Sequence, residues 1–445
     1  MGNSFDGAQF RLTATLGILL ASLGASAPTS ATTFDTLYTF PGPADDEYIV
    51  AGVTLDSSGN VYGTTTTQLG SMGDGCTSQC GSVFMLKPPG KKGGSWTEKT
   101  IHSFSGADGS YPGTGGLLLQ SGNLYGTTYY GGATNFGLVF ELSPPAQGQS
   151  RWRIRTLHSF KGAGDGANPN AGVTMDPKGN LYGVAFAGGK ANLGTVYELV
   201  PPAPGKTGWT EKTLHSFAGG SDGSFPYAGL VLDGNGNLYG TTEAGGGSDA
   251  CNDNYSPGAG CGTVFMLSPP ADGHQRWTET ILHSFQSGDD GRNPIGGLIF
   301  DISGNLIGTT QFGGNGAQGC DGDYGPGCGL AFKFQPPSRR GAEWTETILH
   351  VFTFANDGAF PNSGLIADGD TGSFYGTGPH GGPGGFGTAY EMFETGDVTL
   401  LNDFAGGASG STPFGGLAIS GNGTLYGTTF ESTPGSFGTV YSISP

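Results

Sequence analysis

Five histidines recur at one position, His102, His158, His215, His283 and His350, and each precedes an Asp-Gly pair, at Asp108, Asp165, Asp222, Asp290 and Asp357. A histidine near a carboxylate is the raw material of general-base catalysis and of metal ligation. One active site has no use for five copies, so the recurrence marks scaffold: histidines packed or hydrogen-bonded between repeats. The aspartates read as turn formers that cap local backbone, each followed by a glycine free to take a positive φ. Trp96, Trp152, Trp209, Trp277 and Trp344 recur just upstream and belong to packing in the core or between repeats.

A calcium loop needs oxygen ligands at alternate positions. Asp321-Gly322-Asp323 comes closest, but it lacks a third carboxylate and a downstream glutamate, and no metal is expected. The six cysteines fall in pairs within three loops. Thiolate-only zinc would need four of them to converge, and no histidine joins these loops. Because each loop carries both partners, local disulfides Cys76–Cys80, Cys251–Cys261 and Cys320–Cys328 are expected.

Residues that break the repeat are the better candidates for a site. Tyr129-Tyr130, Phe186, Glu243, Gln311-Phe312 and His380 occupy one connection of successive repeats and differ at each. Variable loops on a rigid scaffold are where binding concentrates. Ligand binding is therefore assigned to Tyr129, Tyr130, Phe186, Glu243, Phe312 and His380, with aromatic planes suited to stacking on sugars or peptides. No G-x-S-x-G, H-E-x-x-H, Walker or dinucleotide motif occurs in an appropriate context, so neither a catalytic residue nor a cofactor is assigned. The expected function is a non-enzymatic binding or scaffold module. The alternative is a secreted hydrolase or lyase acting on polysaccharide, because paired carboxylates of a glycosidase need only spatial proximity and leave no spacing in sequence.

The elements that must position these residues are written in the repeat. It runs most fully from Leu214-His215-Ser216-Phe217 through Asp222-Gly223, Pro226 and Gly229-Leu230-Val231-Leu232-Asp233. It continues through Gly236-Asn237-Leu238-Tyr239-Gly240-Thr241-Thr242 and Gly245-Gly246 to Gly262-Thr263-Val264-Phe265. The glycine after the Asn-Leu-Tyr position, at 63, 126, 183, 240, 308, 376 and 427, marks seven units spaced by 63, 57, 57, 68, 68 and 51 residues. Each unit reads as four short strands: an apolar strand a (229–232), a turn, strand b (238–242), strand c (262–267) and strand d with Trp209, Glu211, Thr213, His215 and Phe217 on one face. Four antiparallel strands per unit predict a propeller blade, and seven blades lie within the usual range. The last unit lacks strand d, whereas an orphan d-type run spans 33–40. The expectation is an all-β, seven-bladed propeller of four-stranded blades, its ring closed by the N-terminal strand completing the last blade and so removing an exposed edge. In that topology the d–a and b–c connections share one face.

The phrase, as it stands from Leu157 to Pro201 and from Leu214 to Pro269, resembles the bacterial Gloeobacter/Verrucomicrobia (GloVer) tandem repeat, over about residues 33 to 445. The resemblance implies an exported bacterial protein, often surface-associated. It brings no established activity, ligand or catalytic residue.

Composition agrees with an exported β protein. Glycine supplies 88 of 445 residues and proline 27, yet aromatics reach 11% in short regular runs, more than a disordered chain carries. Eighteen basic against 36 acidic residues give a net charge of −18, which excludes nucleic acid and an anionic membrane surface as partners. Arg11, the apolar stretch 12–23 and the small residues up to Ala31 predict a signal peptide over 1–31, leaving 32–445 as a single seven-repeat domain. The stretch is too short to span a bilayer, and no stable membrane insertion is expected. The mature chain is expected to be secreted, periplasmic or at the cell surface, as a monomer with a glycan or a peptide or protein ligand.

Overall fold

A computed structural model describes residues 32–444 apart from 42–46, 68–75, 77–79, 252–259, 272–275, 315–319, 321–326, 340–341, 370 and 433–436. The leader expected over 1–31 and the Asp321–Asp323 loop lie outside the described residues. Among the described residues no helix is long and apolar enough to cross a membrane.

The chain forms seven antiparallel sheets. In the fourth blade the order is Val231–Leu232, Leu238–Thr242, Thr263–Ser268 and Thr278–Ser284. The seventh blade takes Ala418–Ile419, Leu425–Thr429 and Thr439–Ser444 from the C-terminus and Thr33–Thr39 from the N-terminus. Phe34 lies opposite Ile443, and its ring stacks on Tyr441 at 5.5 Å and meets Phe404 edge-on at 5.8 Å. The ring is closed by this strand, as the sequence predicts.

The marker glycine has a steric reason. Gly63, Gly126, Gly183, Gly240, Gly308, Gly376 and Gly427 each pair across strands with an aromatic residue, Phe84, Phe140, Tyr197, Phe265, Phe332, Tyr390 and Tyr441 respectively. Those rings are fully buried and lie over the glycine, where a Cβ on Gly240 would sit 2.7 Å from Phe265 and 2.8 Å from Leu230. The turn before strand b is equally determined by side chains. Asp233 Oδ1 accepts the backbone N–H groups of Asn235 and Asn237, while its Oδ2 accepts Asn237 Nδ2 and Tyr239 Oη. The same bonds recur at Asp56 and Asp176.

Two details depart from the sequence reading. Strand a is two residues, Val231–Leu232, rather than the four of 229–232. Gly229 and Leu230 lie outside the ladder, which pairs only Val231 with Tyr239 and Leu232 with Leu238. Strand d does not alternate strictly, because a bulge in every blade shifts the register. In the third blade Val196 faces His215 but Tyr197 faces Thr213, so Leu214 is the extra residue. A bulge adds one residue to one strand and turns the following side chains over. That puts Thr213 at the surface and Leu214 and His215 half inside. The tryptophans pack between blades as expected: Trp277 of the fourth blade meets Tyr182 of the third at 6.1 Å, and Trp344 of the fifth meets Tyr239 of the fourth at 5.9 Å.

All three disulfides form as predicted, Cys76–Cys80, Cys251–Cys261 and Cys320–Cys328. Such bonds persist in oxidising, non-cytoplasmic compartments.

Candidate functional site

Two regions gather polar chemistry. The first is the outer junction between blades. Each recurring histidine reaches the aspartate of its own d–a connection, with Nε2 to carboxylate distances of 2.7 to 3.2 Å in all five copies. The aspartate also caps the connection, as Asp222 does by accepting the N–H of Ala218 at 2.6 Å, and the next glycine takes a positive φ of 83° at Gly223. At three junctions a glutamate from strand d of the following blade joins them. His158, Asp165 and Glu211, His215, Asp222 and Glu279, and His283, Asp290 and Glu346 each bring their ligand-type atoms within 4.8 Å of one another. These are the groups among the described residues that could hold a metal ion. Burial, with Asp222 close by, pushes Glu279 up to about 9, and burial pushes Glu211 and Glu346 up to about 7. Burial would raise the Asp222 carboxyl, but its bonds to His215, Glu279 and the Ala218 N–H, with the charge of His215, together hold it down to about 2.

The second region is the mouth of the axial channel. Every connection into blades two to seven places a non-glycine residue with left-handed backbone just before its proline: Tyr111, Asn168, Phe225, Asn293, Phe360 and Thr412, with φ between 52° and 59°. A side chain with a Cβ in that conformation is strained, and such strain gathers at functional sites. The asparagines donate Nδ2 to a neighbouring b–c turn, Asn168 to the carbonyl of Tyr129 at 2.9 Å and Asn293 to that of Glu243 at 3.1 Å. The aromatic ones meet neighbouring rings there instead, edge-on or tilted. Tyr111 meets Tyr129 and Tyr130 at 6.2 and 6.3 Å, Phe225 meets Phe186 at 5.1 Å, and Phe360 meets Phe312 at 5.4 Å. His380 stands between Phe360 and Phe414 at 5.7 and 6.2 Å, and Phe414 continues to Phe430 at 5.7 Å.

This aromatic belt surrounds a cavity of about 820 Å³ lined by Tyr111, Tyr129, Tyr227, Phe414 and Phe430 above an aliphatic wall that includes Val50 and Ile295. The volume lies in the range of small-ligand sites. Of the residues assigned from sequence, Tyr129 lines the cavity directly. Tyr130 backs Tyr129 at 4.7 Å, Phe186 backs Tyr227 at 6.1 Å, and Phe312 is covered by the Arg292 guanidinium at 5.3 Å. Glu243 occupies the strand register of Tyr129 and Phe430, three residues after the marker glycine, and its charge acts on the phenols of Tyr129 and Tyr227. Burial alone pushes its carboxyl up to about 7.

The sequence profile of the Gloeobacter/Verrucomicrobia repeat matches residues 68–319 and 254–445. The chain belongs to that repeat family. No curated protein matches it in sequence. Among solved structures, a candidate gluconolactonase is similar at 17% identity, covering 75% of this chain and 89% of that one with a TM-score of 0.39. A candidate 6-phosphogluconolactonase from Bacteroides uniformis is similar at 13% identity, covering 87% and 90% with a TM-score of 0.47. A candidate glucose dehydrogenase from Thermus thermophilus is similar at 14%, covering 93% and 100% with a TM-score of 0.42. Likeness this distant carries no argument about chemistry.

In this member of the repeat family, the lining residues that sequence reasoning missed are Tyr111, Tyr227, Phe414 and Phe430. Tyr111 immediately precedes, and Tyr227 and Phe414 immediately follow, the proline of a d–a connection, where the seven units differ as much as in the b–c turn. The same test for divergence, applied to that connection, would have found them.

Proposed function

We propose that this chain is an exported, non-enzymatic binding module that holds a neutral or cationic group of a glycan or peptide at the mouth of its axial channel. What carries the reading is the convergence of unrepeated aromatic side chains on one cavity, while the repeated histidines lie elsewhere, at the blade junctions. Rings that face a cavity bury large apolar area and stack on flat partners. The acidic net charge disfavours polyanions. The signal-like stretch 1–31 and the three disulfides support export. A glycan and peptide array is expected to return neutral or cationic ligands, weakened about tenfold by Tyr130→Ala or Phe312→Ala through loss of support for the belt.

One observation favours the second reading, a polysaccharide hydrolase or lyase: a glutamate poised near 7 suits a general acid. Among the described residues lining the cavity none is a carboxylate, Glu243 standing beside the lining rather than in it, and glycoside hydrolysis ordinarily needs two. Turnover abolished by Glu243→Gln in a folded protein would overturn the binding reading.

A further inference from the structure

Resting on that binding reading, we infer that the Tyr111, Tyr129 and Tyr227 side of the cavity, with Glu243 beside it, is a subsite for the alkylammonium head of a peptide lysine. Three phenol rings come together there. Tyr111 and Tyr129 stand 6.2 Å apart and both line the cavity, as does Tyr227, which lies near enough to help raise both of their phenols. The negative faces of aromatic rings attract a cation, most strongly where water is excluded. Glu243, beside the lining and close enough to act on Tyr129 and Tyr227, adds a negative charge there when it ionises. Its carboxyl has no hydrogen-bond or ion-pair partner among the described residues, and the phenols of Tyr129 and Tyr227 are the titratable groups facing it. A buried carboxyl without a partner is costly when ionised, and an incoming ammonium supplies the missing partner. Among the described residues no lysine, arginine or histidine lines the cavity to compete.

Part of the remaining lining suits the lysine stem. Val50, Ile295, Leu298 and Leu417 offer aliphatic surface to four methylene groups. Asn170 Nδ2 donates to Thr114 Oγ1 at 2.9 Å. A lysine buries its stem and keeps only its head polar.

Calorimetry on the full mature chain tests this with the pentapeptide Gly-Gly-Lys-Gly-Gly against the same peptide carrying norleucine or Nε-acetyl-lysine. The lysine peptide is expected to bind at least about tenfold more tightly than either, and Glu243→Gln should erase most of that preference. Tyr129→Phe, which keeps the ring face, should retain the preference, while Tyr129→Leu should lose it. Binding near pH 7 should release a proton as Glu243 ionises, visible as a dependence of the heat on buffer, and Glu243→Gln should abolish the release. Equal affinity for lysine and norleucine would overturn the ammonium subsite, as would a lysine preference unchanged in Glu243→Gln; both leave channel-mouth binding intact. Failure of every peptide and glycan to bind would overturn both.

Discussion

At the blade junctions Glu211, Glu279 and Glu346 each sit against a histidine and an aspartate of the preceding connection; at the channel mouth Glu243 sits against phenols alone. Burial raises all four carboxyls, to about 7 or, for Glu279, about 9. A perturbed carboxyl therefore does not by itself mark a working site, since structural clusters perturb titration equally well. What separates the two regions is company and number. The junction glutamates have partners and come in copies, as joints between identical parts must. Glu243 has neither, and in the other blades its position holds tyrosine, phenylalanine, threonine, glutamine or proline.

The scaffold side of this comparison breaks most severely at ring closure. A chain beginning at Asp45 lacks Thr33–Thr39, the strand that covers Thr439–Ser444 and places Phe34 on Tyr441. It should unfold without a single cooperative transition and begin to melt roughly 10 °C or more below the full mature chain. An unchanged melt, followed by calorimetry, would mean the ring closes without that strand.

The junctions should also show themselves through pH. The folded value of Glu279 lies above its ordinary 4.5, so the folded state binds the extra proton. Its contribution to stability is full below about 4.5 and is lost as the pH rises towards 9, with Glu211 and Glu346 losing theirs through about 7. Asp222 works in the opposite sense: its contribution is present above 3.8 and lost as the pH falls through about 2. The melting temperature should therefore decline from about pH 5 to 9. Glu279→Gln, which imitates the protonated acid, should flatten that decline and leave the variant more stable than the parent above pH 8. A parallel decline in both proteins would place the pH dependence outside the junctions.

How much of this was legible in the sequence follows the same division. Repetition exposes whatever is repeated: the marker glycines, strand b at 238–242 and the orphan strand at 33–40 all carry their meaning in recurrence. The bulge at Leu214 was not visible, because Trp209, Glu211, Thr213, His215 and Phe217 keep an unbroken period of two across it in the sequence. Nor was the union of Glu211 with His158 and Asp165, since that glutamate belongs to the next blade and meets them only when the ring forms. Half of the mouth was readable from the b–c turns. The other half, Tyr111, Tyr227 and Phe414, stands beside prolines whose regularity drew the eye to the turn rather than to its neighbours.

The central claim is that the junctions hold and the mouth binds. It is tested most directly by measuring affinity for the strongest array ligand and melting temperature together, for Tyr129→Ala and His215→Ala. His215 pairs with Asp222 at 3.2 Å, so its loss should cost about 1–2 kcal/mol of stability and leave affinity within about twofold. Tyr129 lines the cavity, so its loss should weaken binding about tenfold or more with a smaller effect on melting. Loss of affinity after His215→Ala in a protein that melts normally, with Tyr129→Ala binding as the parent does, would contradict the account.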